Sequence, residues 1–185
     1  MDDFDPETSH TWKWLPEHRN NVLVSGYGSG IIFGEVGEDR MCMAQGQMCA
    51  DGHRIASVFS EKGLDFMWTD GIMGLGKRRY NDYSRTYIES LYASKAIKKQ
   101  IFSLSLNMEK DSGSKLTLGD YDLHAFAKGP IKWHKSSIDR ETWALNLTNI
   151  TFGEEPLYFN FDAGVLPDTG SSVISLPQAT YDHFI

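Results

Sequence analysis

The chain has 185 residues, with 18 basic against 25 acidic side chains and a formal net charge of −7, so no cationic surplus is left to neutralise phosphates. That excludes nucleic acid or an anionic membrane surface as the main partner. Hydrophobic residues at 41% and aromatics at 12% exclude a disordered chain, and apolar runs of only a few residues exclude a bilayer-spanning helix.

Met1–Pro6 is acidic and lacks the basic and apolar regions of a signal peptide, so none is expected in this chain. Asn21–Gly34 places β-prone Val22–Val24 and Ile31–Phe33 around a Gly-rich tip, Gly26-Tyr27-Gly28-Ser29-Gly30, and predicts a hairpin. Cys42 and Cys49 flank a segment that can turn at Gly46, and two strands joined there could bring the sulfurs within bridging distance. A disulfide is expected, with two free thiols as the alternative. Arg54–Ser60 reads as a strand, and Asp70–Gly76 as a short apolar run punctuated by glycine.

Ser84–Gln100 reads as one amphipathic helix, with Tyr87, Ile88, Leu91, Tyr92 and Ile97 on one side and Lys95, Lys98 and Lys99 toward its C-terminal end. Period-two alternation marks strands at Ile101–Asn107, Lys115–Gly119, Thr142–Thr148 and Leu157–Phe161. Asp162–Pro177 is apolar around a polar island, Asp168-Thr169-Gly170-Ser171-Ser172, with strands expected at Val165-Leu166 and Val173-Ile174. Gln178–Ile185 reads as the opening of a helix. Abundant glycine and many short strands predict an all-β protein, and the composition break near Ala127–Pro130 divides residues 1–126 from 127–185.

Gly71–Lys77 matches most of a phosphate-binding GxxxxGK loop, but Arg78 stands where Ser or Thr would hold magnesium. The histidines at 10, 18, 53, 124, 134 and 183 are scattered, and no set has metal-ligand spacing. Asp168-Thr169-Gly170 is the sharper signal. Acid–base chemistry wants a carboxylate held in a tight turn, with apolar neighbours limiting its solvation and Thr or Ser hydroxyls bonding its oxygens.

The order of motifs resembles the pepsin-like aspartic proteases. Phe4–Trp12 is similar to the family's F-x-P-x-x-S-x-T-F segment, and Tyr27-Gly28-Ser29-Gly30 to its flap. Gly34 and Asp39 sit as in the strand after the flap, and Asp70–Gly76 as in the D-G-I-x-G-L-G segment. Ile101–Leu104, Leu116–Asp122, Ile131–Trp133 and Trp143–Leu145 follow in the family's order, then Asp168–Ser172, Leu176-Pro177 and Tyr181. Pro167 departs from the aliphatic residue usual before the aspartate.

The resemblance implies a bilobal acid-protease fold, here incomplete: a partial N-terminal lobe with the flap over 1–126 and the start of the C-terminal lobe over 127–185. It implies an aspartic endopeptidase in which Asp168 is catalytic and Thr169, Gly170, Ser171 and Ser172 support it. A second catalytic aspartate is expected upstream of Phe4, so this piece alone is expected to be inactive. Tyr27, Gly28 and Ser29 would close over substrate, and Ile72 would line a pocket or simply pack in the core. The implied partner is a peptide or protein substrate, with no cofactor, no metal and no nucleic acid, and the full-length protein is expected to be a monomer. The implied location is the secretory pathway, whether lysosomal, vacuolar or extracellular. The alternative is a non-catalytic peptide-binding or inhibitor-like relative. Asn146-Leu147-Thr148 and Asn149-Ile150-Thr151 are both N-glycosylation sequons, with Leu145, Leu147 and Ile150 expected inward and at most one glycan on the pair.

Overall fold

The computed structural model describes residues 4–16, 22–43, 46–67, 69–78, 84–108, 113–137, 141–157 and 164–184. Strand dominates, as the glycine-rich, alternating sequence predicts. The chain divides into two compact units, Met1–Ala127 and Lys128–Ile185.

The first unit is built on one long hairpin. Strand β3 (Ile31–Met43) pairs antiparallel with β4 (Gln47–Lys62) along one edge. Its other edge takes β2 (Leu23–Gly26) opposite Ile31–Gly34 and β1 (Lys13–Trp14) opposite Gly37-Glu38. Register shifts after Phe33, Asp39 and Cys42 let so long a pair bend without breaking the ladder. The strand expected at Arg54–Ser60 is the middle of β4. Its reach was hidden by the polar residues of Gln47–His53, which sit in the ladder all the same.

Helix α1 (Tyr87–Ala93) packs on β4. Its buried side, Tyr87, Ile88 and Leu91, forms the core with Ala50 and Ile97, and Met41, Met43, Met73, Leu75, Phe102 and Leu118 close around it. The helix falls in the expected window but is much shorter. Thr86 caps its start: the Thr86 hydroxyl accepts from Glu89 N–H, and the Glu89 carboxylate accepts from Thr86 N–H at 2.9 Å. Its end is set at Lys95, which takes φ 59°, while Ala96 N–H reaches back to the Leu91 carbonyl at 2.9 Å. That is a Schellman stop with lysine in the place glycine usually takes. Lys98 and Lys99 therefore lie beyond the helix and do not complement its dipole, whereas Ile97 still reaches the core from the turn.

Strands β5 (Phe102–Ser105) and β6 (Lys115–Leu118) form a separate hairpin. Phe102 and Leu118 face the core, but Leu104 and Leu106, expected on the same face, are exposed. A one-turn helix α2 (Leu123–Phe126), capped by Asp122, follows; its brevity left no periodic signal.

In the second unit, β7 (Leu145–Asn146) pairs with β10 (Gly164–Val165), and β8 (Thr151–Phe152) with β9 (Glu155–Pro156). The strand expected over Thr142–Thr148 is thus reduced to two residues, and most of Leu157–Phe161 lies outside the described residues. Helix α3 (Gln178–Phe184) starts where Pro177 predicts, and Thr180 and Ala144 are the fully buried side chains here. Val173 and Ile174 are not a strand: they are 72% and 90% exposed, and no described strand pairs with them.

Candidate functional site

The candidate flap is the tip of the β2–β3 hairpin. Tyr27 and Gly30 exchange two backbone hydrogen bonds, Tyr27 N–H to Gly30 O at 2.7 Å and Gly30 N–H to Tyr27 O at 3.3 Å, which leaves Gly28-Ser29 as a two-residue loop. The Tyr27 ring is 40% exposed. Gly30 cannot carry a side chain, because a Cβ there would lie 2.5 Å from the Lys62 carbonyl oxygen and 2.8 Å from the Leu64 side chain. This close approach seats the base of the tip against the end of β4, while Tyr27, Gly28 and Ser29 project beyond it.

Residues 71–78 carry no regular secondary structure, and among the described residues no strand leads into them and no helix begins at Lys77, so neither flank that a phosphate loop needs is seen there. Met73 and Leu75 turn into the core, while Ile72, on the alternate side, is 47% exposed and outside the core cluster.

In the second unit, Asp168 starts a tight turn. Its Oδ1 accepts from Gly170 N–H at 2.8 Å, and its carbonyl accepts from Ser171 N–H at 3.3 Å. Ser171 Oγ donates to the Val173 carbonyl at 2.8 Å. The loop thus fixes the carboxylate through backbone, whereas the sequence suggested hydroxyl groups. Asp168, Thr169, Gly170, Ser171 and Ser172 are all exposed, so the limited solvation expected of the aspartate is not found here. The physical reason is local: Val173-Ile174 has no strand partner among the described residues, and the described residues of its own unit leave the turn exposed. Pro167 just before Asp168 carries no N–H and cannot donate to a ladder.

A second Asp-Ser-Gly triplet, Asp111-Ser112-Gly113, is easily overlooked. It belongs to the connection between β5 and β6, where Gly113 takes φ 78° and Ser114 Oγ accepts from Asn107 N–H at 2.9 Å. Asp111 and Ser112 lie outside the described residues.

Among the described residues the most enclosed carboxylate is Asp39, 5% exposed. It accepts from Ser9 Oγ at 2.8 Å, from Thr11 Oγ1 and from Arg40 N–H at 2.7 Å. Burial works to raise its pKa, and these three donors together outweigh it and hold the group below the ordinary aspartate value. Asp39 thereby ties the Phe4–Trp12 segment to β3, a structural role that the motif order located without explaining. Among the described residues, no group of three or more His, Cys, Asp or Glu side chains is placed to hold a metal ion.

The cysteines are joined. Cys42 and Cys49 are direct cross-strand partners in β3 and β4, and Gly46, at φ 84°, supplies the left-handed turn residue between them.

The comparisons with known proteins agree with the order of these features. The chain is 26% identical to pregnancy-associated glycoprotein 2 of Bos taurus over 94% of its length and 44% of that protein. It is 24% identical to pepsin A of Gallus gallus over 98% of its length and 48% of that protein. Cathepsin E of Oryctolagus cuniculus is 30% identical over 95% of this chain and 43% of that protein. The chain thus spans a little under half the length of these relatives. The model of one family, described as eukaryotic aspartyl protease, matches residues 1–185 from end to end. With strands in the predicted order, a flap-like hairpin and an Asp-Thr-Gly turn all on one such match, the chain belongs to the eukaryotic aspartyl protease family.

Proposed function

We propose that this chain is part of an aspartic endopeptidase in which Asp168 is one member of a catalytic aspartate dyad. The observation that carries the reading is the Asp168 turn: a carboxylate positioned by the Gly170 N–H at 2.8 Å, within a family match that includes both flap and turn. The partner aspartate is assigned to sequence outside these 185 residues. Two carboxylates held close together share one proton, because both cannot ionise side by side. One accepts a proton from a bound water while the other donates to the carbonyl oxygen of the peptide bond, so no covalent intermediate is required.

Tyr27, Gly28 and Ser29 close over the bound peptide, with backbone groups of the tip as donors, and Ile72 contributes an apolar contact to the residue beside the scissile bond. The substrate is a peptide or protein, and the full-length protein acts as a monomer. The residues up to about Ala127 form part of the first lobe and those after it the start of the second. The location is the secretory pathway, supported by the Cys42–Cys49 disulfide and by the family.

Pro167 favours a second reading, a relative that binds peptide without cleaving it. One experiment separates the two. Asp168→Asn in the full-length protein, nearly isosteric, is expected to abolish cleavage of a denatured protein at acid pH by several orders of magnitude, with the fold kept. Tyr27→Ala is expected to slow turnover less, because it disturbs closure and not proton transfer. Wild-type turnover in Asp168→Asn overturns the catalytic assignment, and a full-length protein that binds peptide without cleaving it establishes the second reading.

A further inference from the structure

The two consecutive sequons lie, like Asp168, on the second unit. The segment from Leu145 to Thr151 alternates in a way that matters for modification. Leu145, Leu147 and Ile150 are half-buried, while Asn146, Thr148, Asn149 and Thr151 are exposed. Asn146 lies in β7, and its direct partner across the ladder is Gly164 of β10. Residues directly opposed in an antiparallel pair project to the same face, so the neighbour beside the Asn146 side chain has no side chain at all. Asn146 and Thr148, two positions apart in extended chain, share that open outward face. Around the second sequon the backbone is tied into the next hairpin: Ile150 O accepts from Leu157 N–H at 2.9 Å, and Thr151 is the cross-strand partner of Pro156.

We propose that Asn146 is the attachment site of one N-linked oligosaccharide and that Asn149 stays bare. During synthesis the first sequon meets the transferase first. A branched sugar three positions upstream then obstructs Asn149. In the transfer, the Asn146 amide nitrogen bonds to the anomeric carbon of a lipid-linked oligosaccharide. The bond from that carbon to the pyrophosphate oxygen breaks, the lipid pyrophosphate leaves with the electron pair, and the amide loses one proton. The folded unit accommodates the product because the sugar leaves from the face that Gly164 keeps clear. The proposal rests on the secretory location and not on catalysis.

The full-length protein, secreted from a eukaryotic host, is digested with an amidase that cleaves N-glycans and leaves aspartate at the former attachment site. One glycan mass is expected to be lost, with aspartate appearing at position 146 alone. Thr151→Ala is expected to leave the shift unchanged, whereas Thr148→Ala and Asn146→Gln are each expected to clear position 146 and, with the obstructing sugar gone, to open Asn149 to glycosylation. Secreted, disulfide-bonded wild-type protein that is bare at Asn146, or that carries sugar at Asn149, overturns the proposal while the location stands. Protein held in the cytosol with free thiols overturns the location and the glycan together.

Discussion

Buried Asp39 and half-buried His53 have ionisations coupled to folding in opposite chemical senses and with the same sign. Asp39, held ionised by Thr11, Ser9 and the Arg40 amide against the cost of burial, has a lowered pKa. Its contribution is complete above the unfolded value, about 3.9, and is lost only as the pH falls through the lower folded value. His53 is pushed down by burial alone, between the Tyr87 ring at 5.3 Å and Ser90 Oγ at 3.1 Å. The unfolded chain protonates this imidazole first, so stability is full above about pH 6.5 and is lost as the pH falls toward the folded value. In the full-length protein, His53→Gln is expected to flatten that part of the pH dependence. Urea midpoints at neutral and mildly acid pH measure it, and equal slopes in both proteins contradict the coupling. Asp39→Asn is expected to cost about 1.5–3 kcal/mol, the range for hydrogen bonds to a charged group, at every pH above the carboxylate range. Below that range the difference from wild type shrinks.

At the scale of the element, the β3–β4 hairpin and α1 are the most constrained pieces. The Cys42–Cys49 loop is short, so its closure contributes about 2 kcal/mol by restricting the unfolded chain. Replacing both cysteines by serine is expected to lower stability by about that amount without changing the strand pairing, as denaturant unfolding would show. Gly119 closes the β5–β6 hairpin against the turn after α1, at φ 78° and with its missing Cβ only 2.7 Å from Ile97 Cβ. Gly119→Ala therefore meets both backbone strain and a clash, at a cost of about 1–3 kcal/mol.

The hairpin at residues 21–34 was legible because two β-prone runs flank a glycine tip, and the disulfide because a turn residue lies between the cysteines. The full reach of β4 was not, since Gln47, Asp51 and Gly52 interrupt any alternation, and the ladder carries on past Asp51 and Gly52 only through a register shift in which Gly52 takes φ 60°. The end of α1 was not, because lysine at a left-handed position carries no sequence mark. Asp168 was legible by its triplet and its neighbours' order. Its exposed, backbone-held geometry was not, because a motif fixes a turn and says nothing of what covers it.

At the scale of the molecule, edges and uncovered apolar surface govern behaviour. Strand β4 pairs on one side with β3, and among the described residues no strand pairs with its other side. There the Tyr87 hydroxyl donates to the Met48 carbonyl and Asp51 N–H donates to Ser94 Oγ, so the edge is engaged near its start and lacks a strand partner toward its far end. Val58 and Phe59 toward that far end are 47% and 62% exposed, and Val22 just before β2 and Val24 within it are 51% and 54% exposed. In the second unit, Trp133 at 74%, Phe152 at 64% and the Val173-Ile174 pair add further apolar surface. Open edges beside apolar faces template pairing between chains. The 185-residue chain produced alone is therefore expected to self-associate at micromolar concentration, to bind a hydrophobic dye, and to show no peptidase activity, since one carboxylate cannot both accept and donate the proton in a turnover. Val58→Lys with Phe59→Lys places charge on the open end of β4, where it opposes edge pairing without touching the core cluster. Sedimentation at several concentrations measures the effect. Self-association that falls in the double lysine variant supports the edge as its cause. A chain that sediments as a dye-silent monomer would show that these surfaces are covered within the chain itself.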